Sequence, residues 1–127
     1  ETIGMVFNYF DPEDVTTDYK GDIFRLTGKV NDSSFKGLAA GECLFLGATG
    51  SQRGTGKWEI TFNFAGSPND TGIVVGDLTG IAKKGWEYLW VEYAETKDSV
   101  TSALVLNPRW AYVEQVYKYG DFSDLRI

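Results

Sequence analysis

Between Lys57 and Phe64 the chain alternates without a break. Trp58, Ile60, Phe62 and Phe64 fall on one parity, and Lys57, Glu59, Thr61 and Asn63 on the other. Successive side chains of a strand point to opposite faces, so this period of two builds a half-buried strand. A helix would scatter the same four large residues around its circumference.

Several segments offer themselves. Ile3 to Phe10 reads as a strand ended by Asp11-Pro12, because proline cannot donate to a ladder. Ile23 to Val30 repeats the alternation, with Phe24, Leu26 and Val30 on one side and Arg25, Thr27 and Lys29 on the other; Gly28 marks a bulge or a close contact. Trp86 to Tyr93 is aromatic and β-branched enough for a central strand. Val100 to Leu106 and Ala111 to Tyr119 add two more, separated by an Asn107-Pro108 break.

Glycine-bearing connectors lie between. Gly47 to Gly56 joins Leu44–Leu46 to the Trp58 strand, Ala65 to Gly72 follows it, and Lys83-Lys84-Gly85 makes a tight turn before Trp86. Helix is scarce: Ser33 to Ala40 has a serine cap but carries Gly37, and Asp77 to Lys84 has room for one short turn. The expectation is an all-β chain with at most one or two short helices, an antiparallel β-sandwich or β-barrel of six to eight strands. Residues 1–127 form a single β domain, and a chain that begins at Glu1 without a signal-peptide pattern suits a domain excised or processed from a longer one.

Charge and composition remove whole classes of function. Lys plus Arg is 12 against 18 Asp plus Glu, a net charge of −6 with no basic cluster. A groove that tracks phosphates needs clustered cations, so direct nucleic-acid recognition is not expected. No basic amphipathic helix offers itself to a membrane surface either. The sequence contains no histidine and one cysteine, so Ser-His-Asp and Cys-His nucleophiles are excluded and a zinc site would have only carboxylates and one thiol. Cys43 sits in the apolar run Glu42 to Leu46 and reads as a small buried residue.

What remains is weighed residue by residue. Flat aromatic rings stack on sugars or partner surfaces, yet in a small β domain most of them fill the core, and Trp58 reads that way. Trp110, following Pro108-Arg109, is the better candidate for exposure, with Tyr112 and Tyr117 near it. Gly47, Gly50, Ser51, Gln52, Arg53, Gly54 and Gly56 lack both the following helix and the lysine–serine ending of a phosphate loop, so they read as a flexible hairpin arm for subunit contacts. The carboxylates Asp11, Glu13, Asp14, Asp18 and Asp22 lack the alternating spacing of a calcium loop. Glu87 and Glu92 differ by an odd number and face opposite sides of one strand. Asn31-Asp32-Ser33 and Asn69-Asp70-Thr71 match the glycosylation pattern but read as turn chemistry. No catalytic residue, metal or cofactor is expected, and an enzyme is the least expected class.

The order of these features resembles a known group. The run Gly21 to Val30, then Phe35-Lys36-Gly37, Cys43 to Ala48, the glycine arm, Trp58 to Phe64 and Ser67-Pro68-Asn69 is similar in layout to bacteriophage or prophage virion proteins. Tail-tube-type β-barrels in particular carry long arms between strands. Such subunits also have one flanking helix, which the sequence does not offer. The resemblance implies a non-enzymatic structural protein located in a virion, with copies of itself or other virion proteins as partners. The other reading of the same residues is a β-sandwich module that binds carbohydrate or protein.

Overall fold

The computed structural model describes residues 2–76, 78–97 and 104–127, with the side chains of 94–97 and 104–109 left aside. Strand β1 (Thr2–Phe10) opens the chain, and a 3-10 turn at Pro12–Asp14 leads to α1 (Thr17–Leu26). There follow β2 (Val30–Asn31), β3 (Cys43–Gln52), β4 (Trp58–Gly66), β5 (Asp70–Val75), β6 (Leu78–Lys83), β7 (Tyr88–Lys97), β8 (Leu104–Glu114) and β9 (Tyr119–Gly120), with a last 3-10 turn at Phe122–Leu125. Five strands make one sheet in the order β1-β4-β3-β2-β9, while β5 with β6 and β7 with β8 make two separate hairpins. Among the described residues all pairings are antiparallel except β2 with β9.

The all-β class holds, and the barrel alternative does not. The five-stranded sheet is open, with β1 and β9 as its edges, and the strand count exceeds the expected range because of two two-residue strands. One face of this sheet is the core. Phe10, Phe45, Ile60, Phe62 and Phe64 project from it and meet Tyr19 and Leu26 of α1 and Phe122 and Leu125 of the final turn. The rings interlock at tilted or edge-on angles, as with Phe35 and Phe122 at 5.1 Å and Phe45 and Phe64 at 5.2 Å. Each fully buried phenyl group contributes about 1.5–3 kcal/mol. The alternation of Trp58 to Phe64 is realised as read: Ile60, Phe62 and Phe64 are buried, and Trp58 packs half-buried at the rim with the Lys20 ammonium 5.0 Å from its ring.

Ile23 to Val30 is not a strand. Its first half belongs to α1, whose N-terminus is capped by the Thr16 hydroxyl accepting the Tyr19 N–H at 3.1 Å. Tyr19, Ile23 and Leu26 recur at helical spacing and turn to the core, whereas Phe24, which completed the apparent alternation, is 82% exposed. Asp22 pairs with Arg25 one turn later. The Tyr19 hydroxyl donates to the Leu125 carbonyl at 2.6 Å, and burial pushes its pKa up to about 12 against the opposing pull of Arg126.

Other expectations give way for local reasons. Ser33 to Ala40 forms turns with a bridge between Phe35 and Leu38, because Lys36 and Gly37 stand at φ 46° and 83°, outside any right-handed helix. The Asp77 to Lys84 segment is strand β6 from Leu78, Asp77 itself lying outside the described residues. The Ala65 to Gly72 connector shrinks to residues 67–69. The Trp86 strand begins at Tyr88, after a turn in which the Glu87 N–H reaches the Lys84 carbonyl. Asn107-Pro108 does not break β8: Pro108 pairs with Tyr93, Trp110 with Glu92, and Arg109 is the extra residue of a bulge. Ala111 to Tyr119 divides between β8 and β9, and Val100 to Ala103 lie outside the described residues.

Candidate functional site

The glycine-rich segment is a sheet element. Gly47 to Gln52 is the second half of β3, paired residue by residue with β4 from Gly47↔Asn63 to Gln52↔Trp58 after a bulge at Leu46. Small residues there make room for large neighbours. A Cβ on Gly50 would lie 3.3 Å from Ile60 Cγ1 and 3.6 Å from the Trp58 ring. Only Arg53 to Lys57 remains as a turn, closed by the Gly56 N–H to the Arg53 carbonyl at 2.9 Å and by the Gln52 side-chain amide to the Gly56 carbonyl at 2.9 Å. Arg53 lies 3.6 Å from Glu59 and Lys57 3.7 Å from Asp11. The expected flexible arm is thus corrected to a paired strand with a hydrogen-bonded tip that carries Arg53, Gly54 and Gly56.

The arm that does extend from the five-stranded sheet is the β7–β8 hairpin. Its register puts Tyr88 opposite Glu114, Trp90 opposite Tyr112 and Glu92 opposite Trp110, so these six residues share one face. The four rings on it are between 43% and 53% exposed. Tyr88 and Trp90 stand 4.7 Å apart, and Trp90 lies near-parallel to Tyr112 at 6.4 Å. The Trp90 indole N–H donates to Glu114 at 2.6 Å. The opposite face carries Leu89, Val91, Ala111 and Val113, all half-buried, and β6 lies beside β8. Trp110, expected to be exposed, is so and shares this face with Tyr112, but Tyr117 does not join them. It is half-buried, edge-on to Trp86 at 6.0 Å, beside an open hollow of about 560 Å³ that Trp86, Tyr88 and Leu89 also line.

A polar joint holds the hairpins to the sheet, and sequence reasoning missed it. The Trp86 indole N–H donates to the Glu42 and Ala65 carbonyls at 3.0 and 3.2 Å. The Gly85 N–H donates to Asn69 Oδ1 at 2.7 Å, and the Ser67 hydroxyl to the Gly85 carbonyl at 2.8 Å. The Glu42 carboxylate accepts the Asn69 and Ala39 N–H groups at 2.8 Å each, which holds its pKa below the usual glutamate value. Neither Asn of the two glycosylation-like tripeptides is a plain turn residue. Asn69 serves this joint, and Asn31 is buried, its amide bonded to the Ser33 and Ala39 carbonyls and its Oδ1 to the Cys43 N–H. The Cys43 thiol is buried, and burial raises its pKa to about 11.

A second bare surface lies along the β1 edge of the sheet. On the outer face of β1, Ile3, Met5, Phe7 and Tyr9 are 60–74% exposed. The signal was in the sequence, but β1 carries apolar residues on both parities, which resembles a strand buried on both sides. Among the described residues no group of three or more His, Cys, Asp or Glu side chains could hold a metal ion, and no helix is long and apolar enough to cross a membrane. No protein-family model, curated protein or solved structure matches the chain.

Proposed function

We propose that this chain is a non-enzymatic assembly subunit of a phage-like particle, a tail or other virion component, which makes its contacts with copies of itself or other virion proteins. The observation that carries the reading is the β7–β8 hairpin: a two-stranded arm whose outward face bears Tyr88, Trp90, Trp110 and Tyr112 with no covering element among the described residues. Aromatic surface of this kind is enriched at the cores of protein interfaces. Helix α1 also supplies the flanking helix that the virion resemblance leads one to expect. Sedimentation and light scattering at rising concentration test the proposal. Self-association is expected, weakened by Trp110→Ser with the circular dichroism spectrum unchanged, and a strict monomer at high concentration would sink it.

The second reading is a carbohydrate- or protein-binding module. It is favoured by the same row of rings, in particular Trp90 near-parallel to Tyr112 with Glu92 and Glu114 as polar neighbours. Titration with soluble polysaccharides, followed by tryptophan fluorescence, discriminates the two. Saturable binding that Trp110→Ala abolishes would promote this reading over the first.

A further inference from the structure

We infer that β1 is an interface strand, and that its occupant is β1 of a second copy of this chain, paired antiparallel across a two-fold axis. The inference rests on the assembly reading only in taking a second copy as the partner. It names a surface that reading does not use.

Three observations converge on β1. First, it is an edge with none of the protections that edges ordinarily carry. Exposed edges are blunted by charge, proline, bulges or brevity. Thr2–Phe10 contains no charged residue and no proline, runs nine residues, and keeps an unbroken register with β4 from Thr2↔Gly66 to Phe10↔Trp58. Among the described residues the other edges are guarded: β9 is two residues long, the β5–β6 ladder shifts register twice, β7 carries the charged Glu92, Glu95 and Lys97, and β8 carries Pro108 and a bulge.

Second, the exposed apolar surface is concentrated at the edge: among the described residues of β3 and β4, Leu46 at the bulge is the one large exposed apolar side chain. Across the outer face of the sheet, Met5, Phe7 and Tyr9 stand opposite Asn63, Thr61 and Glu59 of β4, which in turn stand opposite Gly47, Thr49 and Ser51 of β3. A partner lying flat over this face would meet polar groups on two strands of three. A partner that extends the sheet beyond β1 meets the apolar row and the edge backbone together, and it displaces one local bond, the Tyr9 N–H donated to Asn8 Oδ1 at 3.0 Å.

Third, the strand suits itself as a partner. With the two-fold axis at Val6, Met5 of one copy lies opposite Phe7 of the other and Ile3 opposite Tyr9, so both rows fall on one face. The row is uncharged, and no like charges within it oppose the pairing. At 60–74% exposure, the four side chains offer on the order of 500 Å². Edge pairing covers the flanks of these side chains and leaves their outward tips bare, so the area buried per partner stays below the roughly 800 Å² of a standard interface and the backbone ladder supplies the remainder of the contact.

Site-specific cross-linking tests the pairing. Met5→Cys introduces a thiol beside a native one that is buried, and in the inferred dimer the two introduced thiols lie on a diagonal of about 7–8 Å, within reach of a short bismaleimide. The expected result is a cross-linked dimer from Met5→Cys and none from Val74→Cys, an equally exposed position on β5. Phe7→Lys is expected to raise the dimer dissociation constant about 100-fold or more, with Val74→Lys leaving it unchanged. If the chain self-associates but Met5→Cys does not cross-link and Phe7→Lys has no effect, the β1 pairing is wrong while the assembly reading stands. If the chain is monomeric at high concentration, both fall.

Discussion

Gly85 stands where the turn before β7 crosses the segment that leaves β4. A Cβ added there would lie 1.7 Å from the Ser67 carbonyl oxygen and 2.7 Å from its carbon, both backbone atoms that cannot swing aside. The same residue donates its N–H to Asn69 and accepts from the Ser67 hydroxyl and the Lys83 ammonium. Gly85→Ala must therefore separate the two segments and break several of these bonds together. A loss of about 2–4 kcal/mol is expected, read as a lower urea midpoint with an unchanged slope. Gly72, with nothing within 4 Å of its hypothetical Cβ, is the control: Gly72→Ala should stay within about 0.5 kcal/mol.

At the scale of elements, the joint between sheet and hairpins includes one carboxylate. Glu42 binds the Asn69 and Ala39 amides, and these bonds favour its charged form. A carboxyl whose folded pKa lies below its unfolded value contributes stability that is present above the unfolded value, about 4.3 for glutamate, and lost as the pH falls through the folded one. The stability difference between the wild type and Glu42→Gln is expected at neutral pH and should shrink as the solution is acidified below pH 4. Denaturant titrations at several pH values measure it, and a difference that stays constant down to pH 2 would contradict the account.

The same scale shows which elements could be read from sequence. Trp58 to Phe64 was legible because its two faces see different surroundings, and so was Thr2–Phe10 as a strand. Helix α1 was not, because Phe24 is a large apolar residue on the solvent side and only Tyr19, Ile23 and Leu26 report the inner face. The second half of β3 was hidden by small residues that are there to accommodate Ile60 and Trp58, a cross-strand cause that no local pattern records. At the candidate site, the exposure of Trp110 was legible from the proline and arginine before it, whereas that of Tyr112 was not. Their partners Tyr88 and Trp90 depended on register, and Tyr117 was drawn away by Trp86.

For the whole molecule, burial is unevenly distributed. The buried apolar residues come from the five-stranded sheet, its flanking helix and turns, while the β5–β6 and β7–β8 hairpins contribute half-buried side chains at most among those described. Local opening free energies follow buried contacts. Amide hydrogen exchange should be slowest at Phe45, Phe62 and Phe64 and faster throughout Asp70–Lys83, with β7 near Tyr88 and Leu89 between the two. Uniform protection across sheet and hairpins would show instead that the two regions open as one unit.

The closing of the core by Tyr119–Leu125 has a kinetic consequence. The Tyr19 hydroxyl meets the Leu125 carbonyl across 106 positions of sequence, and β9 completes the sheet beside β2 by a parallel pairing. Contacts so distant along the chain demand loop closure before they return any free energy, which slows folding. A nascent chain leaving the ribosome would hold Phe45, Phe62 and Phe64 against α1, Phe10 and Phe35, and the lid of Phe122 and Leu125 would arrive only after the β5–β6 and β7–β8 hairpins had been synthesised.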